Sequence, residues 1–332
     1  MTQRHELLDP ELAAPLEGFL GAVNGGFDLG DIAGARRTID GVVAAVKANA
    51  PPVEGVETRD LDVPGFEGGP PVRVRVYRPT ARSEALPALL WMHPGGWVLG
   101  SIELDDLTAA QLAKDVECVV VSVEYRLAPE HPYPAALHDC YAALKWLAAE
   151  SAGLAVDPNH IALGGSSAGG NLAAALALLA RDRNEVRPVY QLLIYPALDD
   201  RTAAEPGPDL PETLFWSRRN SFDAWTAYLG RRPGANDVAE HAAPARATNL
   251  AGLPPAYIGV GALDPFVDED IDYARRLLAA GVPTELHVHP GACHAFDVFG
   301  AGSRIGQRFI TERNAVLRRA LHPLSASPSP AA

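Results

Sequence analysis

The chain carries 332 residues, with 28 Lys and Arg against 41 Asp and Glu for a formal net charge of −13, and 48% of its residues are hydrophobic. A length of this order holds two domains or one large α/β domain, and either buries a core without staples. The negative field repels phosphate backbones and anionic surfaces, which argues against nucleic acid and membrane partners.

The opening stretch, MTQRHELLDPELAAPLEGFL, is broken by acids and prolines and reads as neither a secretory signal nor an anchor. Residues 1–50 read as helical and amphipathic. Asp31 is placed to cap a segment in which Ile32, Ala35, Ile39, Val42, Val43 and Val46 recur at helical spacing, and Pro51 and Pro52 end it. Val72, Val74 and Val76 then alternate with Arg73 and Arg75, the period of a strand with one wet face, which predicts an outer antiparallel strand.

From residue 87 short apolar runs at 88–92, 118–123, 161–163, 190–195 and 256–260 alternate with helical stretches at 105–115, 135–151, 168–182 and 267–281. Strands buried on both faces and separated by helices make a mostly parallel central sheet flanked by helices, so the fold class is α/β. Residues 199–250 break the rhythm with Pro206, Pro208, Pro211 and the aromatics Phe215, Trp216, Phe222, Trp225 and Tyr228, and read as an insertion. For a single aromatic such as Trp225, packing is favoured over substrate contact. The longest near-apolar stretch, 172–180, is about half of the ~20 residues a membrane helix needs. The small, Pro-rich tail at 323–332 is expected to be disordered. Cys118, Cys140 and Cys293, odd in number and irregularly spaced, make no disulfide framework and point to a reducing, cytoplasmic location.

The sharpest chemical signal is Gly165-Ser166-Ser167-Ala168-Gly169, which follows the run 160–163 and opens an Ala/Leu-rich helix. A serine on a tight strand-to-helix turn presents its hydroxyl clear of the sheet, and the helix start offers free N–H groups to a developing oxyanion. A bare G-x-S-x-G also arises by chance as an ordinary turn, so the motif needs company. Only Ser167 has glycines two residues away on both sides, which makes it the candidate nucleophile over Ser166. His93-Pro94-Gly95-Gly96-Trp97 supplies that company at the end of the run 88–92. Pro94 has no N–H, so the loop's oxyanion donors are Gly95 and Gly96, joined by the N–H of Ala168. His93 itself reads as a residue that orients the loop.

A serine nucleophile needs a base and an orienting carboxylate, which follow it in chain order in this kind of fold. Asp264 comes directly after the run 256–260, whereas Asp268, Asp270 and Asp272 fall in the next helical pattern and read as a solvated face. His287 and His289 share one strand face, and two ligands without a clear third make a poor metal site. His294, in Pro-Gly-Ala-Cys-His-Ala-Phe, sits in the loop beyond that strand and is the candidate base.

With HisProGlyGlyTrp (93–97), TyrArgLeuAlaProGlu (125–130), GlySerSerAlaGlyGlyAsn (165–171), AspProPheValAspGlu (264–269) and HisAlaPhe (294–296) in order, the chain resembles the hormone-sensitive-lipase-like, bacterial type IV branch of the α/β-hydrolase esterases over about residues 55–300. The resemblance implies an α/β-hydrolase fold with a helical cap, and it assigns Ser167 as nucleophile, His294 as base and Asp264 as its partner. Pro94 stands where the family commonly has the first glycine of its glycine loop, and Ser166 where an acid is common. Arg126 and Glu130 read as loop pins through a charge-assisted bond rather than as catalytic groups.

The expected organisation is an N-terminal part of the cap at 1–50, a hydrolase core at 51–198 and 251–322, and a cap insertion at 199–250. The expected activity is hydrolysis of short to medium acyl esters of small molecules through an acyl-serine, with no metal or organic cofactor. An amide or N-acyl deacylase would use the same three residues, and a non-catalytic small-molecule receptor on this fold would be marked by a missing triad histidine. A strand at 284–289 placed at a sheet edge would offer a homodimer contact.

Overall fold

The apolar runs become the middle of an eight-stranded sheet in the computed structural model, which describes residues 7–82, 84–204 and 215–323. The strands are β1 (Val56–Val63), β2 (Val72–Pro79), β3 (Leu86–Met92), β4 (Val119–Val123), β5 (Val156–Ser166), β6 (Tyr190–Ile194), β7 (Ala256–Gly261) and β8 (Thr284–His289). They lie in the order β1-β2-β4-β3-β5-β6-β7-β8. The pairs β1–β2 and β2–β4 are antiparallel, and every other pair is parallel.

The helices are α1 (Pro10–Ala22), α2 (Ile32–Asn49), α3 (Asp106–Val116), α4 (Ala135–Ala149), α5 (Ala168–Arg183), α6 (Asp200–Ala204), α7 (Arg218–Leu229), α8 (Val267–Ala279), α9 (Phe296–Phe299) and α10 (Arg304–Leu321). Alternation along the strands divides the core between two faces. Leu90, Val121, Leu163 and Leu193 pack with α4, α5 and α8. Their chain neighbours Leu89, Val120, Ala162 and Leu192 pack with α3 and α10. Strands β3, β4, β6 and β7 are buried at every residue, as strands covered on both faces must be. No helix among the described residues is long and apolar enough to cross a membrane.

The Asp31 cap forms as expected, its side chain accepting from the Gly34 N–H at 2.9 Å at the start of α2. Strand β2 is antiparallel as expected but is not outermost, because β1 pairs along its whole free edge from Val56↔Pro79 to Val63↔Val72. Strand β1 is largely exposed and charged, which suits an edge that must not recruit another chain. Its Asp60 binds Arg75 at 2.6 Å and Arg73 at 2.6 Å, and these bonds hold the carboxyl well below the usual range. Strand β8 forms the opposite edge, as expected. The proposed disordered tail lies outside the described residues apart from Pro323, and so do Pro206, Pro208 and Pro211.

Asp270 corrects the solvated-face reading of α8. Asp268 and Asp272 are exposed, but Asp270 is fully buried and neither carboxyl oxygen has a hydrogen-bond partner. Phe266, Asp270, Tyr273 and Leu277 follow helical spacing and form the buried face. Burial pushes the Asp270 carboxyl well above its usual range, so folding selects the neutral acid. The resulting stability is complete below the unfolded-state value of about 4 and is lost as pH rises towards the folded value. Asp270→Asn is therefore expected to raise the thermal midpoint at about pH 8 and to change it much less at about pH 4. Differential scanning calorimetry at both pH values checks this, and equal shifts would contradict it.

Candidate active site

Strand β5 ends at Ser166 and helix α5 begins at Ala168, leaving Ser167 alone at the junction with φ 56° and ψ −118°. A non-glycine residue held there stores on the order of 1–3 kcal/mol of backbone strain. The turn survives because neighbouring backbone packs into it. A side chain on Gly169 would occupy the space of the Met92 and His93 carbonyls, so the turn and the 93–97 loop are in direct contact. The Ser167 N–H donates to the Ile194 carbonyl at 2.8 Å, which fixes the turn to the neighbouring strand.

The three residues read from separate stretches meet at this turn. Ser167 Oγ lies 3.0 Å from His294 Nε2, and His294 Nδ1 lies 2.8 Å from Asp264 Oδ2. With Nδ1 facing a carboxylate, the neutral ring carries its proton on Nδ1 and Nε2 accepts from the serine hydroxyl. The second Asp264 oxygen accepts from the Phe266 N–H at 3.0 Å. Ser167, Asp264 and His294 are all buried, with exposures of 4%, 0% and 3%. The loops holding acid and base are laced together, since Leu263 N–H donates to the Ala292 carbonyl and Ala262 N–H to the His289 carbonyl, both at 2.9 Å.

The glycine loop is held from three sides. Gly95 and Gly96 take φ values of 126° and 59°, and the Leu99 N–H folds back onto the Gly95 carbonyl at 2.8 Å. Neither glycine N–H, nor that of Ala168, donates to an acceptor among the described residues. His93 serves the loop rather than the serine. Its Nδ1 lies 2.7 Å from the Pro94 carbonyl, and its ring stacks on Tyr125, whose hydroxyl donates to the His93 carbonyl at 2.8 Å. Burial pushes this imidazole down to about 4, so it stays neutral. Trp97 is packed between Trp225 and Tyr228, with centroids 4.4 and 4.5 Å away, and fully buried Trp225 is a packing residue here.

Arg126 and Glu130 pin the following loop, but not to each other. Arg126 binds Asp139 of α4 through two oxygens, at 2.8 and 2.9 Å. Glu130 pairs with Arg36 of α2, which also donates to the carbonyls of Val98 at 2.8 Å and Ala128 at 2.9 Å. Arg36 thus joins the N-terminal helix to the glycine loop, a role no local sequence signal marks. Glu269 closes the AspProPheValAspGlu stretch, but the sequence did not mark its partners. It accepts from the N–H groups of Leu198 and Asp199 at 2.6 and 3.2 Å and from Thr202 Oγ1 at 2.5 Å, tying α8 to the segment after β6. Burial pushes its carboxyl up to about 8.

Aromatic rings enclose His294. Tyr195, Phe266, Trp216 and Phe215 have centroids 4.7, 5.2, 6.1 and 6.2 Å from the imidazole. Tyr195 is itself held by a 2.8 Å backbone bond to Gly259 and a 2.7 Å hydroxyl bond to Asp297 Oδ1. Phe215 in turn meets Phe19 of α1 at 5.0 Å and Phe27 at 5.7 Å. Helix α7 is fastened to the same region by Asn220, whose side-chain amide donates to the Phe27 carbonyl at 2.7 Å.

Comparison with known proteins shows the family to which the chain belongs. Residues 89–298 match the model of a family described as having the alpha/beta hydrolase fold. The chain is 39% identical over 270 residues to carboxylesterase NlhH of Mycobacterium tuberculosis, covering 78% of this chain and 81% of that protein. It is 42% identical over 245 residues to esterase LipI of the same organism, covering 71% and 74%. The solved structure of a bacterial heroin esterase superposes with a TM-score of 0.88 at 40% identity, covering 95% of this chain and 98% of that one. The chain belongs to the α/β-hydrolase fold family, in its hormone-sensitive-lipase-like branch of carboxylic ester hydrolases.

Proposed function

We propose that this protein is a serine carboxylesterase that hydrolyses short to medium acyl esters of small molecules, with Ser167, His294 and Asp264 as its triad. The observation that carries this reading is the unbroken relay of 3.0 and 2.8 Å contacts from the serine hydroxyl to the buried carboxylate. Neutral His294 takes the Ser167 proton as Oγ attacks the acyl carbon, and Asp264 orients the ring and stabilises its charged form. The N–H groups of Gly95, Gly96 and Ala168 receive the oxyanion. His294 then hands its proton to the leaving alcohol, and an acyl-serine remains. Water activated by His294 attacks that ester, releasing the carboxylic acid and restoring the enzyme.

In this reading α1, α2 and α7 belong to a cap, and Phe215 and Trp216 form the apolar ceiling over His294. Such a ceiling suits a small acyl group better than an extended triglyceride chain. The enzyme acts in the cytoplasm, and pairing through the free edge of β8 would make it a homodimer. Initial rates on p-nitrophenyl esters of increasing acyl length, beside the matching anilides, test the substrate class. Ester turnover that peaks at short or medium chains supports the reading. Preferential anilide cleavage would make the protein a deacylase, and absence of turnover on both would overturn the proposal.

The oxyanion assignment carries its own test. A Cβ at residue 96 would stand 2.8 Å from Trp216 Cη2 and 3.2 Å from the Ala224 Cβ, on backbone with φ 59°. Gly96→Ala must move the loop, and displacement of one donor is expected to lower kcat by about 10²–10³-fold. A loss of less than threefold in steady-state assays, roughly 0.6 kcal/mol, would remove the Gly96 N–H from the mechanism.

A further inference from the structure

His287 and His289 are two residues apart on β8, so both imidazoles face the same side, against α10. The pair lacked a third ligand in the sequence, and the fold supplies one in Glu312 of α10. Glu312 Oε2 lies 3.1 Å from His287 Nδ1 and 3.8 Å from His289 Nε2. The three ligand atoms fall within 4.8 Å of one another. An ion about 2.0–2.2 Å from each donor in a tetrahedral site needs donors roughly 3.2–3.6 Å apart. Small side-chain adjustments meet that requirement.

His289 Nε2 is the second observation. The residue is only 3% exposed and this nitrogen has no hydrogen-bond partner, although it points towards the carboxylate. A buried polar atom left in that state is costly and calls for an occupant. Neighbouring groups prepare the other two donors. Glu285 Oε1 lies 2.9 Å from His287 Nε2, an outer carboxylate that would orient the ring with Nδ1 towards Glu312. Arg308 takes Glu312 Oε1 at 2.7 Å, so Oε2 is the oxygen that faces the two imidazoles.

We propose that His287, His289 and Glu312 form a binding site for a divalent transition-metal ion of the zinc, cobalt and nickel class, with water in the fourth position. Two imidazoles and one carboxylate favour these ions over magnesium and calcium, which take all-oxygen shells. The ion joins β8 to α10, and β8 leads into the loop that carries His294. Its role is to stabilise that edge of the sheet.

The test uses the full-length chain, stripped with a chelator and titrated with Zn²⁺ and Co²⁺, in wild type and in a His294→Ala background that removes the competing imidazole. One ion per chain is expected, with the intense visible bands of four-coordinate cobalt and a higher thermal midpoint with Zn²⁺ but not with Mg²⁺. His287→Gln and Glu312→Gln, at half-exposed positions that tolerate replacement, are each expected to weaken binding by at least the 10–100-fold that loss of an outer partner costs, roughly. Unchanged affinity in both variants would overturn the proposal. So would binding that is abolished only by His241→Gln, which removes the separate group of Asp182, Glu240 and His241.

Discussion

Ser167→Ala is expected to lower ester turnover by on the order of 10⁴–10⁶-fold while leaving the protein folded. The hydroxyl bonds only to His294 Nε2 among the described residues, whereas the bond that fixes the turn runs from the backbone N–H to Ile194. Removing the oxygen therefore deletes the nucleophile without loosening the turn. Ser167→Gly gives a sharper form of the same prediction. It should be equally inactive yet more stable by about 1 kcal/mol, because glycine relieves the strain at φ 56°. Active-site strain that is maintained for function predicts this inverse movement of activity and stability. Thermal denaturation beside steady-state assays of both variants reads it, and a destabilised glycine variant would count against the strain.

Asp264→Asn is expected to cost about 10⁴-fold in kcat, and the reason lies in the second oxygen. The Phe266 N–H donates to Asp264 Oδ1 at 3.0 Å, so an amide at this position must place its carbonyl there. Its NH₂ group then faces His294 Nδ1 and donates to it. The ring is forced into the tautomer with its proton on Nε2, where it cannot accept from Ser167. This predicts that Asn is at least as damaging as Ala at position 264, although Asn is nearly isosteric with the native side chain. A kcat for Asp264→Asn within tenfold of wild type would remove the tautomer-holding role.

The strands buried on both faces were legible because nothing but packing acts on them, and runs such as Val119–Val123 announce their neighbours on either side. Strand β1 was not, because its Glu57, Arg59, Asp60 and Asp62 mark it as polar chain, and only pairing with β2 makes it a strand. Asp270 misled for the opposite reason. A carboxylate in a helix reads as exposed, and the neighbours that keep it neutral come from the tertiary fold. The proposed triad was readable since each member sits in a short loop directly after a strand, where the fold class expects it. Arg36, Glu269, Tyr195 and Trp216 were not, since each reaches its partner across a sequence gap that no local pattern bridges. Glu312 belongs with them: two histidines on β8 were visible, and the helix that faces them was known only from the fold.

The proposed mechanism turns on one atom, the Ser167 hydroxyl oxygen, and covalent trapping addresses it directly. A p-nitrophenyl alkylphosphonate should phosphonylate the full-length protein once, with release of one equivalent of p-nitrophenol and loss of ester turnover in step with labelling. Peptide mapping by mass spectrometry is expected to place the adduct on Ser167. An adduct on Ser166 or on another residue, or full inactivation without any adduct, would contradict the account.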